Sequence, residues 1–289
     1  MLNILITGAN GQLGSEFKDL QSEYPHKFYF AGHDELDIIN ENSIRKFIAS
    51  NKVDAIINCA AYTAVDKAED EPELAFDINK NGARNLALIA KEKDIKFLHV
   101  STDYVFSGDS SIPYMPSDKT APKSMYGSSK LAGENEILRI SPANSAIVRV
   151  SWLYGAHGKN FVKTMLNLAS QKSNLNVVYD QIGSPTYASD LAHTLLKMID
   201  KISNNKPKIY HYANEGVASW YDLAHEAIRL SNLKCEILPI RSCEYPTKVT
   251  RPAYSLLDKA DIKRDFELII PHWRDSLEKC IERLKEING

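Results

Sequence analysis

Short apolar runs alternate with segments of helical periodicity through the first half of the chain. The runs Leu2–Thr7 and Ala55–Asn58 are mostly apolar, which is typical of strands buried on both faces of a sheet. Leu13, Phe17 and Leu20 recur at helical spacing after the first run, so we predict an amphipathic helix there. The same patterns predict further strands at Phe28–Ala31, Phe97–Val100 and Ala146–Val150, and helices at Ser43–Ser50, from Pro72 to about Lys91, and from Ser124–Tyr126 onward.

This alternation predicts a Rossmann-type α/β fold, in which a doubly wound parallel sheet carries helices on both faces. After about Trp152 the rhythm is less regular, and segments rich in turns and polar groups take over. We therefore expect a dinucleotide-binding domain over residues 1–152 and a smaller substrate-binding domain over residues 153–289. The second domain is expected to be partly interleaved, with some of its segments returning to the sheet.

Composition excludes several classes of protein. The net charge of −2, from 35 basic and 37 acidic residues, provides no basic field for a nucleic-acid partner. There is neither a signal-peptide pattern nor an apolar run of about 18 residues, so we expect no membrane span. The four cysteines are scattered without metal-ligand spacing, which predicts reduced thiols in a cytoplasmic protein and no metal site.

Three glycines punctuate the junction between the first strand and the first helix. Gly8, Gly11 and Gly14 let the chain turn tightly and let backbone amides approach a pyrophosphate at the helix N-terminus. Their spacing, G-x-x-G-x-x-G, differs from the commoner G-x-G-x-x-G pattern, and a glycine pattern alone is weak evidence. The strand–turn–helix context favours a nucleotide site, because a plain tight turn does not need three glycines.

Tyr126 and Lys130 are four residues apart on a predicted helix, so they share one face. A neighbouring cation lowers the pKa of a phenol from about 10 toward neutrality, which suits a general acid or base. Thr102 ends the fourth predicted strand, and open α/β sheets bind ligands at the carboxyl ends of their strands. We therefore expect the Thr102 hydroxyl to reach the same reacting oxygen as the Tyr126 phenol.

Longer segments give the chain a family resemblance from Met1 to about Arg274. They are AAYTAVDKAEDEP (60–72), STDYVFSG (101–108), YGSSKLAGE (126–134), SWLYG (151–155), GKNFVKTML (158–166), DQIGSPT (180–186) and RPAYSLLD (251–258). Together they resemble the dTDP-4-dehydrorhamnose reductases, a family of extended short-chain dehydrogenases. The resemblance implies hydride transfer from NADPH or NADH to the C4 keto carbon of dTDP-4-dehydro-L-rhamnose, giving dTDP-L-rhamnose. It makes a dTDP-linked keto-deoxysugar the expected partner and a homodimer the assembly to test.

The resemblance also implies roles for individual residues. Tyr126 and Lys130 would be the catalytic pair, with Lys130 also holding the nicotinamide ribose, and Thr102 would steady the reacting oxygen. One departure is the late motif, where relatives often have Asn-Ser-Arg and this chain has Ala253–Leu257 without a second arginine. The remaining implied contacts are Gly11, Gln12 and Leu13 at the pyrophosphate, Asp37 and Ile38 near the adenine, Ala61, Tyr62 and Thr63 along the cofactor, Thr102, Asp103 and Trp152 at the sugar, and Arg251 at the diphosphate.

Other hypotheses stay open at this point. A sister enzyme could reduce or epimerise another nucleotide-linked keto-deoxysugar, although a dehydratase would need a second acid beside Asp103. A non-catalytic regulatory subunit of the same fold need not keep Thr102, Tyr126 and Lys130. Outside these motifs we expect a packed histidine at His99, a structural or rim residue at Arg149 and a core residue at Trp220. His211 lacks metal-ligand spacing.

The choice of cofactor depends on the end of the second strand. Strict NAD enzymes of this fold place an acid there, which binds the ribose 2′-OH and repels a 2′-phosphate. Gly32 takes that position in the predicted strand and repels nothing, whereas Asp34 would take it if the strand ended later. We therefore predict use of both cofactors, with NADPH at least as good as NADH.

Overall fold

The computed structural model describes residues 1–288 and is built around a six-stranded parallel sheet. Its strands are β1 (Asn3–Thr7), β2 (Lys27–Ala31), β3 (Ala55–Asn58), β4 (Lys96–Thr102), β5 (Ser145–Val150) and β10 (Lys208–Tyr212). Short strands elsewhere are β6 (Leu153–Tyr154), β7 (Asn174–Val178), β8 (Ile182–Gly183), β9 (Thr186–Tyr187), β11 (Ala218–Ser219) and β12 (Glu236–Ile240). The order across the sheet is β10-β5-β4-β3-β1-β2, so β2 lies on one side of β1 and the later strands lie on the other side. This arrangement confirms the predicted doubly wound sheet.

Helices cover both faces of this sheet. Ile4 and Ile6 of β1 join a core on one face, while Leu5 between them joins the core on the other face. This division follows from the two-residue period of a strand. The helices are α1 (Gln12–Leu20), α2 (Glu41–Ser50), α3 (Pro72–Phe76), α4 (Ala83–Lys93), α5 (Met125–Ile140), α6 (Phe161–Ala169), α7 (Ala188–Lys201), α8 (Trp220–Leu230), α9 (Ala260–Phe266) and α10 (Trp273–Asn288). In the described part of the chain, no helix is both long and apolar enough to cross a membrane.

The helix predicted from Pro72 to about Lys91 is not continuous. A π-helical segment, Asp77–Gly82, separates α3 from α4. Its extra residue per turn brings the backbone of Asn79 against α5, where a Cβ on Gly133 would lie only 2.2 Å from the Asn79 carbonyl oxygen. The π-helical segment therefore lets the chain pack closely against α5, the helix that carries Tyr126. Such π-bulges are frequent near functional sites.

The chain after Trp152 contributes to two places. β10 pairs in parallel with β5 at the sheet edge, and α7 packs on α1 within the same core. The other late elements, chiefly α6, α8 and α10, surround a separate core that contains Val162, Leu223 and Trp273. The polypeptide thus passes between the sheet and the smaller unit more than once, and a domain boundary at residue 152 stays a prediction.

Candidate active site

The turn between β1 and α1 is shaped as an anion cradle. Gly8 has φ +64°, and a Cβ there would lie 2.6 Å from the backbone nitrogen of Ala60. A Cβ on Gly14 would lie 2.4 Å from the Gly8 carbonyl oxygen, so neither position tolerates a side chain. Gly11 caps α1 without a side chain to accept the first N–H groups of the helix, which lack partners inside it. These free donors and the side-chain-free approach fit the pyrophosphate of a dinucleotide.

The end of β2 holds an acid that the sequence argument missed. Gly32 does follow the last residue of β2, but its N–H donates to the Glu35 carboxylate at 2.9 Å. A Cβ on Gly32 would lie 2.3 Å from the Asn10 side chain of the glycine turn, so Glu35 lies beside the expected ribose position. Glu35 therefore joins Asp34 as a candidate for the acid that binds the ribose 2′-OH. Lys18 also reaches this turn, donating to Asn10 Oδ1 at 2.9 Å.

The residues implied along the rest of the cofactor are held mainly by their backbones. Ile38 is buried against Gly82, and Asp37 accepts from the Ile39 N–H at 3.0 Å. Tyr62 is clamped by Asn79, which accepts from its N–H at 2.9 Å and donates to its carbonyl at 3.1 Å. The side chains of Ile38 and Asp37 therefore shape the loop, and their contacts with adenine stay predictions, as do those of Ala61 and Thr63.

The end of β4 and the start of α5 bring the predicted catalytic residues together. Ser124 caps α5 by accepting from the Gly127 N–H at 3.0 Å. A Cβ on Gly127 would lie 2.3 Å from the Tyr104 carbonyl oxygen, so glycine lets the helix approach the strand end closely. As a result, Tyr126 lies near Thr102, whose hydroxyl acts to lower the Tyr126 pKa, and edge-on to Tyr104, with ring centroids 5.5 Å apart.

Burial raises the pKa of the Tyr126 phenol above its ordinary value, and its hydrogen bond with Thr102 only partly opposes this effect. Asp103 and Tyr104 raise the pKa further. Lys130, which we expected to bring this pKa toward neutrality, is not among the groups that shift the pKa of Tyr126, and burial is the largest cause. A phenol that stays protonated at neutral pH is nonetheless the form a proton donor requires.

Lys130 is buried below the strand ends. Its Nζ donates to the Val100 carbonyl oxygen at 2.7 Å and lies 3.3 Å from His99 Nε2. Burial lowers the pKa of Lys130 to about 8, opposed by Glu134 and Cys59. Because this residue changes charge near neutral pH, its environment bears directly on the chemistry of the site.

Arg149 has the structural role expected of it. It forms a buried ion pair with Glu134, with Nη2 and Oε2 2.7 Å apart, and the Ser101 hydroxyl donates to the same carboxylate at 2.5 Å. Such a pair keeps a charge in the interior by satisfying it on several sides. It also joins β5 to α5 directly behind Lys130.

Asp103 lies next to Thr102 and is almost inaccessible to solvent. The Thr102 hydroxyl donates to its Oδ1 at 2.9 Å, while its Oδ2 is buried with no hydrogen-bond partner in residues 1–288. Burial raises the pKa of Asp103 to about 6, and the hydroxyls of Thr102 and Ser255 oppose that rise. A buried acceptor without a partner is costly to keep, so this oxygen is a candidate contact for a ligand hydroxyl.

A cavity of about 730 Å³ opens beside this group. Trp152, with φ +49°, stacks on Trp220 at 3.7 Å between ring centroids, and both indoles line the cavity. A Cβ on Gly183 would lie 2.6 Å from the Trp152 ring, so glycine leaves room for the indole. Trp220 was expected to be an ordinary core residue; it packs on the core but also forms a wall of the cavity. A non-glycine residue at positive φ marks a strained position of the kind found at ligand clamps.

Arg251 also lines the cavity. Its guanidinium forms an ion pair with Asp66 and lies 3.5 Å from the Tyr104 hydroxyl. It is partly buried, so it can face a ligand while held by Asp66. Its predicted grip on a diphosphate stays a prediction.

One group of potential metal ligands lies outside this site. Glu16, Asp19 and His157 place ligand atoms within 4.8 Å of one another. Arg283 forms ion pairs with both acids, its Nη1 lying 2.6 Å from Glu16 Oε2. The guanidinium therefore supplies the positive charge that these carboxylates require, and the group gives no argument for a metal.

The parallel sheet, the glycine turn after β1, Thr102 at the end of β4 and the Tyr126–Lys130 pair on α5 define an extended short-chain dehydrogenase. The comparisons with known proteins narrow the class. Residues 2–286 match the family of the RmlD substrate binding domain. The chain belongs to this family.

Individual relatives agree over nearly their full lengths. A dTDP-4-dehydrorhamnose reductase of Aggregatibacter actinomycetemcomitans is 42% identical over 96% of this chain and 98% of its own. The spore coat polysaccharide biosynthesis protein SpsK of Bacillus subtilis is 39% identical, with 98% of each chain covered. A crystal structure of dTDP-4-dehydrorhamnose reductase from Bacillus anthracis in complex with NADP is 38% identical, with a TM-score of 0.91 over 98% of this chain and 99% of that one.

Proposed function

We propose that this chain reduces the C4 keto group of dTDP-4-dehydro-L-rhamnose to give dTDP-L-rhamnose. The observation that carries the proposal is the meeting of three parts at the carboxyl ends of the strands. The glycine cradle follows β1, and Thr102 ends β4 near Tyr126. The cavity is bounded by Trp152, which follows β5, and by Arg251. Two relatives that match almost the whole chain carry the name of this reductase.

The bound nicotinamide cofactor supplies the hydride. Free N–H groups at the start of α1 bind its pyrophosphate. Tyr126, held protonated by burial, gives its proton to the alkoxide oxygen that forms at C4. In this proposal the Thr102 hydroxyl turns from Asp103 Oδ1 to donate to the same oxygen, and it stabilises the charge that develops there.

The cavity fits a nucleotide-linked sugar. Asp103 Oδ2, buried and unpaired within residues 1–288, accepts a sugar hydroxyl. Stacked indoles at Trp152 and Trp220 offer a flat apolar wall, and Arg251 offers a planar donor pair for phosphate oxygens. A volume of about 730 Å³ lies within the range of ligand pockets that hold molecules of this size.

The test is substrate-dependent oxidation of NADPH by the purified protein. Candidate nucleotide-linked keto-sugars are supplied one at a time, and loss of NADPH absorbance is followed. We expect the highest kcat/KM with dTDP-4-dehydro-L-rhamnose. A higher value with another keto-sugar would support the sister enzyme instead. Cofactor binding without turnover on any of them would support a regulatory subunit.

We also infer that the protein is cytoplasmic. All four cysteines are free thiols, with Cys280 buried, which suits a reducing compartment.

We further propose that the protein forms a homodimer. Light scattering of the purified protein measures its mass directly. A value near twice the chain mass of 32.5 kDa supports a dimer, and a value near that mass refutes it.

A further inference from the structure

A hydrogen-bonded chain runs behind the predicted catalytic lysine. It starts at the Ala60 N–H, passes through the side chains of Asn58 and His99, and ends at Lys130. The three side-chain residues are each only 1% exposed. The chain links the loop after β3 to β4 and α5, and Lys130 is its only member to which the family resemblance gave a catalytic role.

The first link fixes the orientation of the Asn58 amide. Its Oδ1 accepts from the Ala60 N–H at 3.1 Å and from the Thr7 hydroxyl at 2.6 Å. A backbone N–H can only donate, so the oxygen of the amide must face Ala60. The NH₂ group of Asn58 must then face His99.

The second link fixes the tautomer of His99. Its Nδ1 lies 2.8 Å from Asn58 Nδ2, which is a donor. Nδ1 must therefore be the unprotonated acceptor, and a neutral ring carries its proton on Nε2. The ring is neutral because burial and the nearby Lys130 charge hold the pKa of His99 well below its ordinary value.

The third link sets a condition on Lys130. His99 Nε2 lies 3.3 Å from Lys130 Nζ, and the same lysine nitrogen donates to the Val100 carbonyl at 2.7 Å. A neutral amine satisfies both contacts, since it has N–H groups for Val100 and a lone pair for the His99 Nε2–H. An ammonium has donors only, so it would face another donor at His99.

We propose that His99 is a positioning residue for Lys130: held as its Nε2–H tautomer by Asn58, it presents a donor that favours the neutral amine over the ammonium. The other groups facing Lys130 are Glu134 on the same helix and Cys59 after β3, and both raise its pKa. Burial acts in the opposite direction and is the largest effect. His99 adds to burial, so that Lys130 changes charge near neutral pH.

The tautomer is measured directly by NMR of the protein labelled with ¹⁵N-histidine. The His99 signals are assigned by their loss in His99→Gln. We expect the Nε2–H tautomer across pH 6 to 9 in the wild-type protein, with no cofactor or substrate added. A ring protonated on Nδ1, or on both nitrogens, would overturn the proposal. This result does not depend on the catalytic activity, so it separates failure of this proposal from failure of the proposed function.

The effect on Lys130 is measured from the pH dependence of kcat/KM for the reduction. Loss of one hydrogen-bond donor should raise the pKa of the alkaline limb by about one unit in His99→Leu, a tenfold change in ionisation. His99→Gln keeps an N–H donor and should leave the limb within about 0.3 units of wild type, well below that shift. His211→Leu removes a buried histidine on β10 that contacts the Tyr114 carbonyl, and it should not move the limb.

A second variant covers the case in which His99→Leu does not fold. Asn58→Asp keeps the shape of the side chain but can only accept, so it should draw the His99 proton to Nδ1 and leave Nε2 as an acceptor for the ammonium. We expect the NMR tautomer to reverse and the alkaline limb to move upward. If the alkaline limb of the kcat/KM profile stays at its wild-type pH in Asn58→Asp or His99→Leu, His99 only packs against Lys130 and the proposal is wrong.

Discussion

Replacing Asp103 by asparagine should make the protein more stable relative to wild type as the pH rises. Burial holds the pKa of this carboxyl at about 6 in the folded protein, against an ordinary value of 3.8. The folded state therefore binds the proton more tightly than the unfolded chain. The resulting stability is present at low pH and is lost as the pH rises through about 6.

The size of the effect follows from the difference between the two pKa values. At about 1.36 kcal/mol per pKa unit, ionised Asp103 costs about 3 kcal/mol at pH 8, and about half of that at pH 5. The residue is 5% exposed, so solvent screening reduces this little. The asparagine side chain carries no charge to desolvate, so the variant should gain about 1.5 kcal/mol on wild type between pH 5 and pH 8.

Urea unfolding at pH 5 and pH 8 measures this gain for wild type and Asp103→Asn. Asp34→Asn, an exposed aspartate after β2, controls for the change of charge and should alter stability little at either pH. A difference between Asp103→Asn and wild type that is the same at both pH values would refute the reasoning. A loss of activity in the more stable variant would fit a residue kept for substrate binding.

Three further substitutions test the site. Tyr126→Phe should lower kcat by about 10²–10⁴ while NADPH binding, measured by fluorescence titration, is retained; near-normal turnover would contradict its assignment as proton donor. Glu35→Gln should raise the ratio of kcat/KM for NADPH over NADH by about tenfold, or about 1.4 kcal/mol, because the carboxylate beside Gly32 no longer repels a 2′-phosphate. Asp34→Asn, at an exposed position, should leave this ratio unchanged. Equal ratios in the two variants would show that Glu35 does not select the cofactor. Arg251→Lys should raise the KM for the nucleotide-sugar by about tenfold with the KM for NADPH unchanged, since a lysine cannot make paired contacts to phosphate; an unaltered sugar KM would leave Arg251 as an anchor for Asp66.

The sequence predicted those parts of the fold that depend on the pattern of neighbouring residues, namely the strands and the glycine turn. Apolar runs identify the strands of a sheet covered on both faces, so β3 was predicted at its observed bounds, Ala55–Asn58. The glycine turn was predictable because Gly8 and Gly14 have no room for a side chain, a constraint that the sequence expresses directly. The clustering of Thr102 with Tyr126 followed from the rule that parallel strands gather their carboxyl ends.

The features that sequence did not reveal depend on contacts between distant segments. The π-helical turn Asp77–Gly82 packs against Gly133, which lies on α5 about fifty residues further along the chain. Trp220 became part of the cavity only because Trp152 stacks on it. The pKa of Tyr126 is governed by burial, which spacing on a helix does not report.

The most direct test of the central claim is the fate of a labelled hydride. NADPH carrying deuterium at the transferred position of nicotinamide C4 is incubated with dTDP-4-dehydro-L-rhamnose and the wild-type protein, and the product is examined by NMR. We expect dTDP-L-rhamnose with deuterium on sugar C4, and Tyr126→Phe should form it far more slowly. Deuterium on another carbon, or consumption of the keto-sugar without transfer of deuterium, would contradict reduction at C4.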